Sequence, residues 1–159
     1  MNTRIPVSTY VQDVTDVIDR RARYVARMML ELDERGLDTD QIMSAIAYED
    51  GLFKAAKADP VSGADDFVRS HLDNDVYRDI YRCEFGELTP ERAECSIRYH
   101  REVEEWKKRL SDDQMRRLYR LATNYERGLA NGLGLEMEMT QCAFEGDPVT
   151  QFVFTRKAA

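Results

Sequence analysis

Midway along this chain the apolar residues change their spacing, and that change limits the fold more than any other feature. Early on, Val14, Ile18, Ala22, Val25, Met29 and Leu32 recur at three- and four-residue steps, one stripe of a helix running from about Val11. Asp13, Asp16, Arg20, Arg23 and Arg27 fall mostly on its other faces. From Asp79 the period becomes two. Tyr81, Cys83 and Phe85 alternate with Arg82 and Glu84, and Ala93, Cys95, Ile97 and Tyr99 alternate with Glu94, Ser96 and Arg98. Strict alternation is the pattern of a half-buried strand. A chain carrying both periods in succession must fold helices and antiparallel strands around shared apolar surface.

Punctuation residues divide the rest. Ser8 or Thr9 is suited to cap the first helix and Gly36 to end it in a left-handed conformation. A second helix opens at Asp38-Thr39 and runs toward Ala58, weakened at Gly51 and stopped by Asp59-Pro60. Val61-Ser62-Gly63 reads as a loop, and Ala64 to Leu72 as a shorter helix stopped by Asp73-Asn74-Asp75. The first strand pair is joined through Gly86 and Pro90 into a hairpin. Helix returns from Glu102 to about Gly128, interrupted near Ser111, and Asn131-Gly132-Leu133-Gly134 ends it. Leu135, Met137 and Met139 then alternate with Glu136 and Glu138 and lead to Cys142 and Phe144. Gly146-Asp147-Pro148 turns the chain into Val149 to Thr155. The expected fold is α+β: N-terminal helices packed on a small antiparallel sheet of two hairpins, separated by a helical insert. It forms one domain over 1–159, with a helical part to residue 75.

Composition narrows the function. The 159 residues carry 23 basic and 30 acidic side chains, a formal charge of −7, with no compact basic stripe, which argues against nucleic-acid and anionic-membrane partners. No apolar run approaches the roughly 20 residues of a membrane span, and Met1 to Ser8 lacks the pattern of a signal peptide. Three widely spaced cysteines, Cys83, Cys95 and Cys142, argue against a disulfide framework and for a reducing cytoplasm. Those cysteines with His100 allow a zinc set arithmetically, but no C-x-x-C pair supports one, so no metal is expected. There is no Gly-rich phosphate loop, H-E-x-x-H or dinucleotide fingerprint, so no cofactor is expected either.

The residues with chemistry to offer cluster late in the chain. His100 stands where a strand meets a helix, able to act as general base or simply to cap; His71, amid Arg69, Ser70 and Asp73, reads as solvated. Cys83 and Cys95 share a strand face. Cys95 and Cys142 are thiols that could attack an electron-poor carbon beside His100, or pack as small apolar residues. Tyr99, Trp106 and Tyr125 can line a pocket or cement sheet to helix. Among Arg116, Arg117, Arg120 and Arg127, one turned inward would hold a substrate carboxylate, and spacing does not single it out. Asp147 is first a turn residue, and Glu94 and Arg98 share a parity that suits a cross-strand ion pair.

Two segments carry a family likeness: Tyr99-His100-Arg101-Glu102-Val103-Glu104-Glu105-Trp106, a strand entering a Trp-bearing helix, and the closing Glu145-Gly146-Asp147-Pro148-Val149-Thr150-Gln151-Phe152-Val153-Phe154. Over about residues 76–154 the chain resembles the L-2-amino-thiazoline-4-carboxylic acid hydrolase family and the related 4-vinyl reductase domain. In both, the last hairpin tends to read Gly-Asp-x-x-Cys-x-Phe. Thr150 stands where that pattern has Cys, His100 falls on or beside the family's Cys-Pro, and Asn124 matches an acidic position. The resemblance implies a concave small-molecule site between sheet and helices. Its residues would be His100, Cys95 and Cys142 for chemistry, with Tyr99, Trp106, Arg120, Asn124 and Asp147 on the substrate. Hydrolysis of a compact nitrogen-containing substrate is the expected activity. The alternatives are ligand binding without turnover and, from the apolar stripe within residues 10–36, a homodimer through the N-terminal helix.

Overall fold

The computed structural model describes residues 7–157. The signal-peptide reading of Met1 to Ser8 lies almost wholly outside them. Among the described residues six α-helices and four strands follow in the order α1 (Val7–Glu34), α2 (Thr39–Ala55), α3 (Ala64–Phe67), β1 (Cys83–Leu88), β2 (Arg92–Ile97), α4 (Val103–Trp106), α5 (Asp112–Ala122), α6 (Asn124–Gly132), β3 (Leu135–Gln141) and β4 (Thr150–Arg156). The fold is α+β, with two hairpins separated by a helical insert. The hairpins join through β2 and β4 into one antiparallel sheet of order β1-β2-β4-β3.

Alternation sets the two faces of that sheet. Ala93, Cys95 and Ile97 on β2, Leu135 and Met137 on β3, and Phe152 and Phe154 on β4 are buried together. They pack against Phe67 and Val68 from the α3 region and Leu129 and Ala130 of α6. The opposite face carries Glu84, Glu94, Arg98, Glu136 and Glu138. Glu94 and Arg98 do not pair with each other: Arg98 reaches across to Glu84 on β1 at 2.6 Å, and Glu94 is taken by Arg92 at 2.6 Å. A second core joins Ala22, Ala26 and Met29 of α1 to Met43, Trp106, Leu118, Tyr119 and Cys142.

Helix ends follow capping chemistry. Asp38 accepts from the Gln41 amide at 3.1 Å, Ser111 and Gln114 form a reciprocal capping box, and Gly36 takes φ +67°. Several boundaries differ from expectation. Ser8 and Thr9 lie within α1 rather than before it. The helix from Ala64 widens to a π-type turn over Val68–Leu72, and a second such segment covers Val76–Ile80, where the first strand was expected to begin. Arg82 at φ +51° then bends the chain into β1. The insert breaks again at Thr123, and His71 is part-buried against the Phe67 ring, 5.2 Å between centroids, rather than solvated.

The tightest packing is between α2 and α6. Gly51 lies against the Tyr125 carbonyl and the Leu129 amide, and Gly128 lies against the Tyr48 carbonyl; a Cβ at either would collide with backbone. Gly51 is therefore not a weak point of its helix but a contact surface. This seam fixes the start of α6, and with it the site.

Candidate functional site

A cavity of about 410 Å³ lies between the two cores. Ala22, Met43 and Leu121 wall it from one side, and Ile97 at the end of β2 and Phe152 of β4 close it from the other. Aromatic residues supply much of the remaining surface: Tyr77 from the second π-type segment, Tyr81 just after it, Trp106 from α4, Tyr119 from α5 and Tyr125 from α6. Its volume suits a compact molecule.

Three carboxyl groups face this hollow: Glu102 just before α4, Glu126 in the first turn of α6, and Asp50 of α2. Glu102 accepts a hydrogen bond from the Tyr81 hydroxyl at 2.7 Å. Burial raises its pKa above the ordinary carboxylate range, only partly opposed by that bond. No side chain among the described residues donates to Glu126. Burial, reinforced by the nearby Glu102 charge, pushes Glu126 up to about 7, against the opposing pull of its own backbone amide and of Arg21. Near neutrality it is thus divided between acid and carboxylate. The Tyr77 and Tyr81 phenols are driven far up by burial and stay protonated.

Arg21 is the single Lys or Arg among the described lining residues. Its guanidinium lies 5.5 Å from the Tyr125 ring centroid and 3.9 Å from Asp50, both partners more than half exposed, so it marks the rim. The α1 helix is fastened over the cavity by two further contacts. Arg101 grips Asp19 with bonds of 2.8 and 2.7 Å, and the Trp106 indole donates to the Ala22 carbonyl at 3.2 Å.

Of the residues expected to carry function, His100 and Trp106 line the cavity. His100 is buried, 3.0 Å from the Thr150 hydroxyl and beside the Tyr119 and Phe144 rings at 4.8 and 5.2 Å. Burial lowers its pKa to about 4, so the imidazole is neutral at pH 7 and a weak base. The others lie apart from the lining. Cys95 sits in the sheet core against Cys83, its thiol pushed up chiefly by that neighbour and by burial. Cys142 is buried in the helical core just past β3, its thiol also raised by burial. The three expected chemical groups therefore do not converge on one cavity.

Binding residues expected from the sequence scatter likewise. Tyr99 donates to Glu104 at 3.1 Å and stands 5.4 Å from the Arg82 guanidinium. Arg120 pairs with Glu145, Arg117 with Asp33 and Asp40, and Arg116 with Asp113, so these side chains point to surface partners. Asn124 donates to the Leu121 carbonyl and accepts from Arg127. Asp147 closes its turn by accepting from the Cys142 amide at 2.7 Å. Residues the sequence reading passed over include Glu102, Glu126, Tyr77, Tyr81, Tyr119 and Arg21. One signal existed for Glu126: it falls on the stripe of Met115, Leu118, Ala122, Leu129 and Ala130, where a carboxylate has no structural reason to be.

A comparison with family models finds no match, and no curated protein matches the sequence.

Proposed function

We propose that the cavity binds a compact nitrogen-containing small molecule and that the protein hydrolyses a carbon–nitrogen bond in it, the activity implied by the likeness to L-2-amino-thiazoline-4-carboxylic acid hydrolases. The observation that carries this reading is Glu126, a carboxyl without a side-chain partner that faces the hollow and titrates near neutrality. Its carboxylate form takes a proton from water as the water oxygen bonds to the substrate carbon. The same proton then passes to the departing nitrogen as the carbon–nitrogen bond breaks. Water is the nucleophile here, because Cys95 and Cys142 are not among the lining residues. His100, neutral and tied to Thr150, shapes the wall.

The test is a panel of small amidines, amides and cyclic isothioureas scored for ammonia or ring-opened product. The expected result is turnover by the native chain and at least a hundredfold loss of turnover in E126Q at saturating substrate. Equal turnover in E126Q overturns the mechanism. The placement of Cys95 and Cys142 outside the lining favours a second reading, binding without chemistry. It expects thermal stabilisation by a ligand that is recovered unchanged.

A homodimer through α1 and a reducing, cytoplasmic setting are part of the same proposal. Tyr10, Val17 and Tyr24 are exposed at seven-residue steps, and Asp13 precedes Val17 as Arg20 and Arg21 follow it. An antiparallel pairing centred on Val17 sets Tyr10 against Tyr24 and acid against base. The stripe is not the one expected from sequence, whose Ala22 and Met29 are buried within the chain. Sedimentation at the dimer mass, lost in V17E, is expected; a monomer at high concentration removes the pairing.

A further inference from the structure

We infer that the ligand of this cavity is an organic cation, held by the Glu102–Glu126 carboxyl pair and enclosed by aromatic rings. The inference rests on the cavity being the ligand site, and it replaces the expectation of an arginine gripping a substrate carboxylate.

The lining is unbalanced in charge: Glu102, Glu126 and Asp50 against Arg21. Arg21 is engaged at the rim, where Asp50 faces it. That leaves the two inner carboxyls with one phenol between them, since Tyr81 donates to Glu102 and no described side chain donates to Glu126. A half-buried carboxyl without a side-chain partner is costly to ionise unless it meets a positive partner. The surrounding rings offer the other half of cation recognition, because their π faces attract positive charge when water is excluded. The chain itself displays the chemistry at the cavity mouth, where the Arg21 guanidinium lies over Tyr125.

A cation entering beside Glu126 stabilises its carboxylate and expels the proton the acid form holds. The groups that bear on this titration are Glu102 and Tyr81, Tyr77 and Tyr125, Arg21 and Asp50 at the rim, and neutral His100. Near pH 7 binding is therefore expected to release part of a proton and to strengthen as pH rises through Glu126's range.

Titration calorimetry of the full chain at pH 7 with three probes of one shape decides the matter: benzylammonium, benzyl alcohol and benzoate. Benzylammonium is expected to bind at least tenfold more tightly than benzyl alcohol, with benzoate weakest and with proton release visible on changing the buffer. E126Q, checked for folding by its thermal midpoint, should lose most of the preference for the cation. R21Q, which removes the resident competitor at the rim, should bind benzylammonium more tightly than the native chain. Equal affinity for benzylammonium and benzyl alcohol overturns the cation and leaves the cavity as a ligand site. Tightest binding of benzoate overturns it in favour of Arg21 as anchor. No binding of any probe overturns both the cation and the cavity reading.

Discussion

The α2–α6 seam and the cavity beside it are built from the same two helices, and they handle surface in opposite ways. At the seam, Gly51 and Gly128 let backbone meet backbone with no side chain between. Next to Gly51, Asp50 reaches the rim of the cavity; two residues before Gly128, Glu126 points into its interior without a side-chain partner. The contrast shows where a half-buried carboxyl without a side-chain partner can sit. The close contact holds the start of α6 beside the hollow, and there burial and the neighbouring Glu102 charge make Glu126 hold its proton to higher pH. Close packing on one side maintains the imperfection on the other.

The largest expected effect comes from breaking the seam. G128A forces a methyl into the Tyr48 carbonyl and must part the helices, and it is expected to cost more than about 3 kcal/mol in denaturant unfolding. A loss under about 1 kcal/mol would mean the helices slide freely, and the contrast with the cavity would fail.

A smaller effect of opposite sign sharpens the contrast. The folded-state pKa of Glu126, about 7, lies above its ordinary value of 4.5. Stability from the neutral acid is complete below pH 4.5 and is lost as pH rises through about 7. E126Q escapes that loss, and it is expected to be about 2 kcal/mol more stable than the native chain at pH 8 and equal to it at pH 4. Unfolding curves at the two pH values check the difference; an E126Q no more stable at pH 8 would place the carboxyl in contact with bulk water. Smallest of all, E84Q on the open face of the sheet should leave the unfolding midpoint essentially unchanged despite its two-bond grip on Arg98, because the pair is exposed and screened by solvent.

The sheet was legible because a period of two is a local property: Ala93, Cys95 and Ile97 face inward whatever the rest of the chain does. Gly36, Asp38 and Ser111 were legible for the same reason, since caps act over a few residues. Gly51 was misread because its partner, Gly128, is far away in sequence and spacing carries no trace of such a contact. Tyr77 and Tyr81 were hidden by the π-type segment and by the bend at Arg82, which look like the start of a strand when only alternation is read. Glu126 was passed over although it falls on the apolar stripe, because the cavity it faces is made by elements distant in sequence. Cys95, His100 and Cys142 were grouped by reactivity. Packing then sent Cys95 to one core and Cys142 to the other, leaving His100 at the cavity between them.

Carbon-13 NMR of the glutamate side-chain carboxyls across pH 3 to 9 reads the protonation of Glu126 itself. The Glu126 signal is expected to titrate with a midpoint near 7, to move lower when benzylammonium is added, and to vanish from the spectrum of E126Q. A Glu126 midpoint in the ordinary range near 4.5, unmoved by the cation, would contradict that expectation.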